Sequence, residues 1–181
     1  MKLIDLIKKR RSVRRYLNKP IPRKALLECI EAARLAPSAC NTQPWKFIII
    51  DDKFKIKEIT DKICHSAYSF NKFIGDSAAL IIVVSDKEGF LRKAAGVLKG
   101  TDYYLIDIGI ACEHLVLQAE ELGIGSCWIG WFDERSLKKA LKLPGKTKID
   151  VVISLGYYDF QEISQKPRKT LEEVAVFNND G

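Results

Sequence analysis

The stretch from Tyr103 to Leu122 limits what this chain can fold into more than any other. It reads Tyr-Tyr-Leu-Ile-Asp-Ile-Gly-Ile-Ala-Cys-Glu-His-Leu-Val-Leu-Gln-Ala-Glu-Glu-Leu. Asp102 suits an N-cap and Gly123 a C-terminal stop, so the spacing predicts one long helix. Apolar residues cover almost every face of its first three turns, and a helix that is apolar all round is buried on all sides. Asp107, Glu113 and His114 argue against a membrane span. A chain of 181 residues has difficulty surrounding a helix ~30 Å long. A second subunit solves the problem, with Gly109 and Ala111 admitting a neighbouring helix. The other reading is a central helix buried inside a monomer.

Around that helix the pattern is α+β, with a mixed central sheet covered by helices. About four strands stand against six or seven helices without a strict βαβ rhythm. Residues 3–9 read as a short helix, and residues 12–17 as extended. Pro22 opens a helix that Pro37 ends. Residues 46–50 and 149–155 are strands, and residues 53–64 an amphipathic helix. Residues 66–74 read as partly helical. Residues 78–84, rich in β-branched groups, read as a strand buried on both faces. A Gly-rich run, Gly123 to Gly130, leads from the long helix into a short strand. A small helix follows from Glu134. The whole reads as a single domain, 1–181, with residues from about 160 onward as a polar arm ending in apolar Leu171 to Phe177.

Composition narrows the function. Five scattered cysteines without a CxxC pair, and an N-terminus without an apolar run, predict reduced thiols in the cytoplasm. With two histidines, no metal centre is expected. The net charge of +7 invites an anionic partner. Six of the eight residues from Lys8 to Arg15 are basic.

Three segments could carry chemistry. Arg10-Arg11-Ser12 with Arg14 offers guanidinium forks and a hydroxyl suited to phosphate, or else a solvated basic face or a nucleic-acid-binding arm. Ser38, Asn41 and Gln43, between Pro37 and Pro44, suit a flat heteroaromatic ring, or else form an ordinary helix-to-strand turn. In Gly123 to Gly130 the glycines allow a close backbone approach to a ligand, or only stop a helix and start a strand. It has neither Rossmann nor P-loop spacing. No Ser/His/Asp set, GxSxG or paired-carboxylate signal stands out, which points to chemistry carried by a cofactor or to none.

Taken in this order, Arg10 to Tyr16, Ala36 to Trp45 and Leu122 to Gly130 closely resemble the nitroreductase family of FMN-dependent oxidoreductases. The likeness extends to Lys166-Pro167-Arg168 and Leu171 to Val174. It implies an α+β sandwich, a homodimer, and a domain-swapped C-terminal segment that crosses to the partner. FMN would lie in the dimer interface. Arg10, Arg11 and Ser12 would hold its phosphate and ribityl chain, with Lys166 and Arg168. Arg14 would lie near N1 and O2 and stabilise the reduced ring, and Asn71 would bond the pyrimidine edge. Pro37, Ser38, Ala39 and Asn41 would come from the other subunit, supported by Gln43. Trp128, Ile129 and Gly130 would line the ring, with backbone N–H groups facing N5. NADH or NADPH would give hydride to N5 and leave, and a nitroaromatic or quinone would then enter the same pocket. No protein nucleophile is required, and neither nucleic acid nor membrane is an expected partner. Residues 85–101 would form a short lid, and Phe73-Ile74 stands where some members place a lysine near the flavin. Related subgroups dehalogenate iodotyrosine or cleave flavin.

Overall fold

The computed structural model describes residues 2–85, 102–159 and 167–178. Four strands form one sheet: β1 (Trp45–Ile50), β2 (Ala79–Ser85), β3 (Gly125–Ile129) and β4 (Lys148–Gly156), in the order β1-β2-β4-β3. Every neighbouring pair is antiparallel. The α+β class holds, but the sheet is not mixed in direction. Among the described residues the one parallel pairing is an isolated bridge from Ser12 to Ser126. A strand apolar on both faces reads the same in either direction, so the sequence pattern carried no signal for this.

Alternation along β2 divides the interior into two cores. Ala79, Ile81 and Val83 face helices α2 (Arg23–Arg34) and α4 (Tyr103–Glu121), where Leu26, Cys29, Ala111, Cys112 and Leu115 pack. Leu80, Ile82 and Val84 face α3 (Lys53–Ile63) and α5 (Glu134–Ala140), where Ile56, Ile59, Ile63 and Leu137 pack. With helices on both sides, β2 is buried from Ala79 to Val84. A short helix, α1 (Leu3–Lys9), precedes the strap, and Ser66–Asp76 is a 3-10 segment. Pro22 is the N-cap of α2 rather than its first helical residue.

The long helix spans 19 residues. Gly123 adopts φ +72°. Its N–H bonds to the Glu120 carbonyl and that of Ile124 to Ala119, closing the helix in the Schellman pattern. Asp102 occupies the N-cap position, but its side chain caps no helix N–H. One face of α4 is buried within this chain, including Ala111. Ala111 therefore packs in the chain's own core, in the same cluster as Leu26, Cys29 and Ala33 of α2, rather than against a second subunit. Gly109 faces open space, and Leu105 and Ile106 are exposed. Among the described residues no helix is long and apolar enough to cross a membrane.

Asp133 starts α5: its Oδ1 accepts the Ser136 N–H at 3.0 Å and its Oδ2 accepts the Ser136 hydroxyl at 2.7 Å. These bonds, then His65 at 3.2 Å, hold its carboxyl below the ordinary range. A folded value below the unfolded one means that the cap's contribution is present above the unfolded pKa and is lost as pH falls through the folded one. Asp133→Ala is expected to cost ~1 kcal/mol at pH 7. The difference from the parent should narrow below about pH 4, as read by urea unfolding at both pH values.

Candidate functional site

The basic stretch forms an extended strap along the sheet edge made by β3. Val13 donates its N–H to the Ser126 carbonyl at 2.9 Å, and Leu17 donates to Tyr157 at 2.7 Å. Gly125 and Gly156 face each other across β3 and β4 and leave a notch for it. A Cβ on Gly125 would come within 2.6 Å of the Val13 side chain and 2.5 Å of Tyr158. One on Gly156 would meet the Tyr16 ring at 2.5 Å. Gly125 therefore admits the chain's own strap rather than a ligand, a role the sequence did not reveal. The Tyr16 hydroxyl contacts the Ser154 hydroxyl at 2.7 Å and donates to the Val13 carbonyl at 2.9 Å. Burial pushes that phenol above its ordinary range. At the strap's entry, buried Glu120 accepts from the Tyr158 hydroxyl at 2.8 Å and pairs with Lys9 at 3.3 Å.

This seating sets the strap's cations. Arg10 lies 3.8 Å from Glu113. Burial pushes the Glu113 carboxyl up, and Arg10 offsets that only in part. Arg11 donates to the backbone carbonyls of Lys8 and Arg10. Those acceptors are neutral. Ser12 holds the bridge to β3. Arg14 is exposed, its guanidinium carbon 6.0 Å from the centre of the Phe73 ring, at the outer limit of a cation–π contact.

Phe73 belongs to the same 3-10 segment as Asn71. Asn71 is buried and donates to the Trp131 carbonyl at 2.7 Å. Trp131 follows Gly130, which is exposed with room for a Cβ. The half-buried Trp128 packs on one core and the buried Ile129 on the other. Strap, 3-10 segment and the end of β3 thus assemble Arg14, Asn71, Trp128, Ile129 and Gly130 around one corner of the sheet. The sequence placed Asn71 there without finding its partner, since nothing marks a backbone carbonyl such as that of Trp131.

The Pro37–Gln43 loop is built on α4 instead. Ala39 donates its N–H to Asp107 Oδ1 at 3.1 Å. Ser38 Oγ accepts the Gln43 N–H at 3.0 Å, and Gln43 Nε2 donates to Asn41 Oδ1 at 3.2 Å. Gln43 is thus bonded within the loop through both its backbone and its side chain. Cys40, Asn41 and Gln43 have φ of 52°, 52° and 48°, a region that costs residues other than glycine of order 1–3 kcal/mol each. Both segments touch α4, the strap at Glu113 and the loop near its start. Asp107 was legible only as an argument against a membrane span. A lone acid in an apolar helix could also have been read as an anchor for a loop. Arg168 is exposed and donates to the Pro167 carbonyl at 3.1 Å. Lys166 and residues 86–101 of the expected lid lie outside the described residues.

An antiparallel sheet covered on both faces, with a cationic strap at one edge, defines a scaffold class that known proteins share. The nitroreductase family model matches residues 7–69 and 64–157, and the chain belongs to the nitroreductase family. It is 33% identical over 158 residues to a protein of Archaeoglobus fulgidus whose provisional name joins NADH dehydrogenase and NAD(P)H nitroreductase. That match covers 85% of this chain and 84% of the other. Iodotyrosine deiodinase of Thermotoga neapolitana is 30% identical over 188 residues, covering 98% and 97%. An FMN-dependent nitroreductase from Clostridium difficile R20291 superposes with a TM-score of 0.79 at 30% identity, covering 97% and 99%.

Gly156→Ala forces the Tyr16 ring out of its seat. It is expected to cost ~1–3 kcal/mol, as overpacking does, measured by thermal unfolding. An unchanged melting temperature would mean that the notch does not hold the strap.

Proposed function

We propose that this protein is an FMN-dependent oxidoreductase that moves reducing equivalents from NADH or NADPH to a small electrophilic acceptor such as a nitroaromatic or quinone. The observation that carries the reading is the strap. It presents Arg11 with backbone carbonyls as its partners among the described residues, and an exposed Arg14 whose guanidinium carbon lies 6.0 Å from the centre of the Phe73 ring, in the segment that carries Asn71. This donor set suits a ligand that is anionic at one end and flat and hydrogen-bonding at the other. FMN is such a ligand, and the FMN-dependent relative of the same fold supports the choice.

When bound, FMN supplies hydride acceptance and donation at N5, which is why the site needs no protein nucleophile. Arg10, Arg11 and Ser12 hold the phosphate and ribityl chain, with Lys166 and Arg168 assisting. Arg14 places positive charge at the pyrimidine end, favouring negative charge there. Asn71 bonds the pyrimidine edge, and backbone at Trp128, Ile129 and Gly130 lies along the ring. Pro37, Ser38, Ala39, Asn41 and Gln43 reach the same ring from a second copy.

The homodimer draws support from apolar surface. A groove of about 440 Å³ between α1, α2 and α4 includes Leu3, Leu6, Leu35 and Leu117. Leu105 and Ile106 are exposed nearer the start of α4. Leu171, Val174, Val176 and Phe177 are all exposed, which suits an arm from about residue 160 that docks on the partner. The chain 1–181 then acts as one FMN-binding domain in the cytoplasm. The similarity to iodotyrosine deiodinase across 98% of the chain favours a second acceptor class, an aromatic halide reduced at the same site.

Purified protein should be yellow and release FMN on denaturation. Colourless protein that binds no added FMN overturns the proposal. Arg11→Ala should weaken FMN binding by ~10–100-fold, the loss of a charge-assisted contact, measured by fluorescence titration. Turnover with menadione, nitrofurazone or iodotyrosine separates the acceptor classes.

A further inference from the structure

Asp107 is 4% exposed in a mostly apolar helix. Its Oδ1 takes the Ala39 N–H, while its Oδ2 is buried and has no hydrogen-bond partner among the described residues. A buried carboxylate oxygen without a donor is unfavourable, and an apolar side chain of similar volume would leave nothing unsatisfied. Stability of the helix alone therefore does not account for an acid at this position.

The loop does account for it. Immediately after Ala39 the backbone enters the left-handed region at Cys40 and Asn41, and it returns there at Gln43. Side chains other than glycine hold such conformations only where neighbours fix them. Several bonds close the loop on itself: the Ser38 Oγ accepts the Gln43 N–H, the Ser38 carbonyl the Asn41 N–H, the Ala39 carbonyl the Thr42 N–H, and Asn41 Oδ1 the Gln43 amide. These are internal to the loop and cannot set where it sits. The Ala39–Asp107 bond joins the loop to α4.

We infer that Asp107 is the positioning residue that fixes the presentation of Ser38 and Asn41. It thereby couples the long helix of one protomer to the FMN held by the strap of the other. This rests on the FMN and dimer readings above. The inference concerns placement of the loop, with Asp107 itself touching neither cofactor nor substrate.

The test compares Asp107→Leu and Asp107→Asn with the parent, using the full chain. Hydrogen exchange is followed on the FMN-free protein, and FMN affinity is followed by fluorescence titration. Leucine removes the acceptor, whereas asparagine keeps an oxygen for the Ala39 N–H. In Asp107→Leu, exchange over residues 38–43 should rise and FMN affinity fall by ~10-fold each, the worth of one such bond. Protection within α4 should stay at the parent level. Asp107→Asn should remain within about threefold of the parent in both. The inference is overturned if Asp107→Leu leaves loop exchange unchanged. It is also overturned if α4 loses protection along with the loop in both variants, since that marks a purely structural residue. A parent protein that binds no FMN sinks the cofactor reading, while the exchange measurement still decides whether Asp107 governs the loop.

Discussion

The arrangement depends on a close approach: the strap lies where two facing glycines leave no side chain. Gly125 and Gly156 are paired across β3 and β4. Val13 and Tyr16 fill the volume that two Cβ atoms would otherwise claim. A flexible basic segment would lose considerable entropy on being ordered. Here backbone bonds to Ser126 and Tyr157, the Tyr16–Ser154 contact and the Lys9–Glu120–Tyr158 cluster oppose that loss. The cations at Arg10, Arg11 and Arg14 are thus presented by a fixed backbone, which suits recognition of a shaped anion better than a mobile tail would.

The second device is a loop whose backbone is strained and whose anchor is a buried acid, Asp107. It joins the same helix that the strap touches through Glu113. The helix therefore serves as a common footing for both candidate segments, and its remaining face offers Leu105, Ile106 and Gly109 outward.

Much of this was legible in the sequence because it rests on local signals. The β-branched run over residues 78–84, the helical spacing of Leu26, Leu27, Ile30 and Ala33, and the Gly123 stop each fix an element from its neighbours in the chain, although Leu27 is exposed and Cys29 takes the buried place. Strand direction was not legible, because Leu80 and Ile81 are equally apolar on opposite faces. The purpose of Gly125 was hidden for a different reason. What it avoids is a side chain more than a hundred residues away in the sequence, and no local pattern records that. Ala111 illustrates the same limit, since a small residue in a helix does not say whether its neighbour belongs to the same chain. The candidate site residues were named through the resemblance of three ordered segments, whereas the bonds that Asp107 and Trp131 make were visible only in three dimensions.

The strap also changes the sheet as a sheet. β3 is an outer strand, and an outer strand exposes unpaired backbone groups that can recruit strands from other molecules. The Ser12 bridge and the Val13–Ser126 bond occupy part of that margin. At the opposite margin β1 carries the exposed Lys46, a charge that discourages strand addition. The basic strap therefore also guards the protein against aggregation through its own edge.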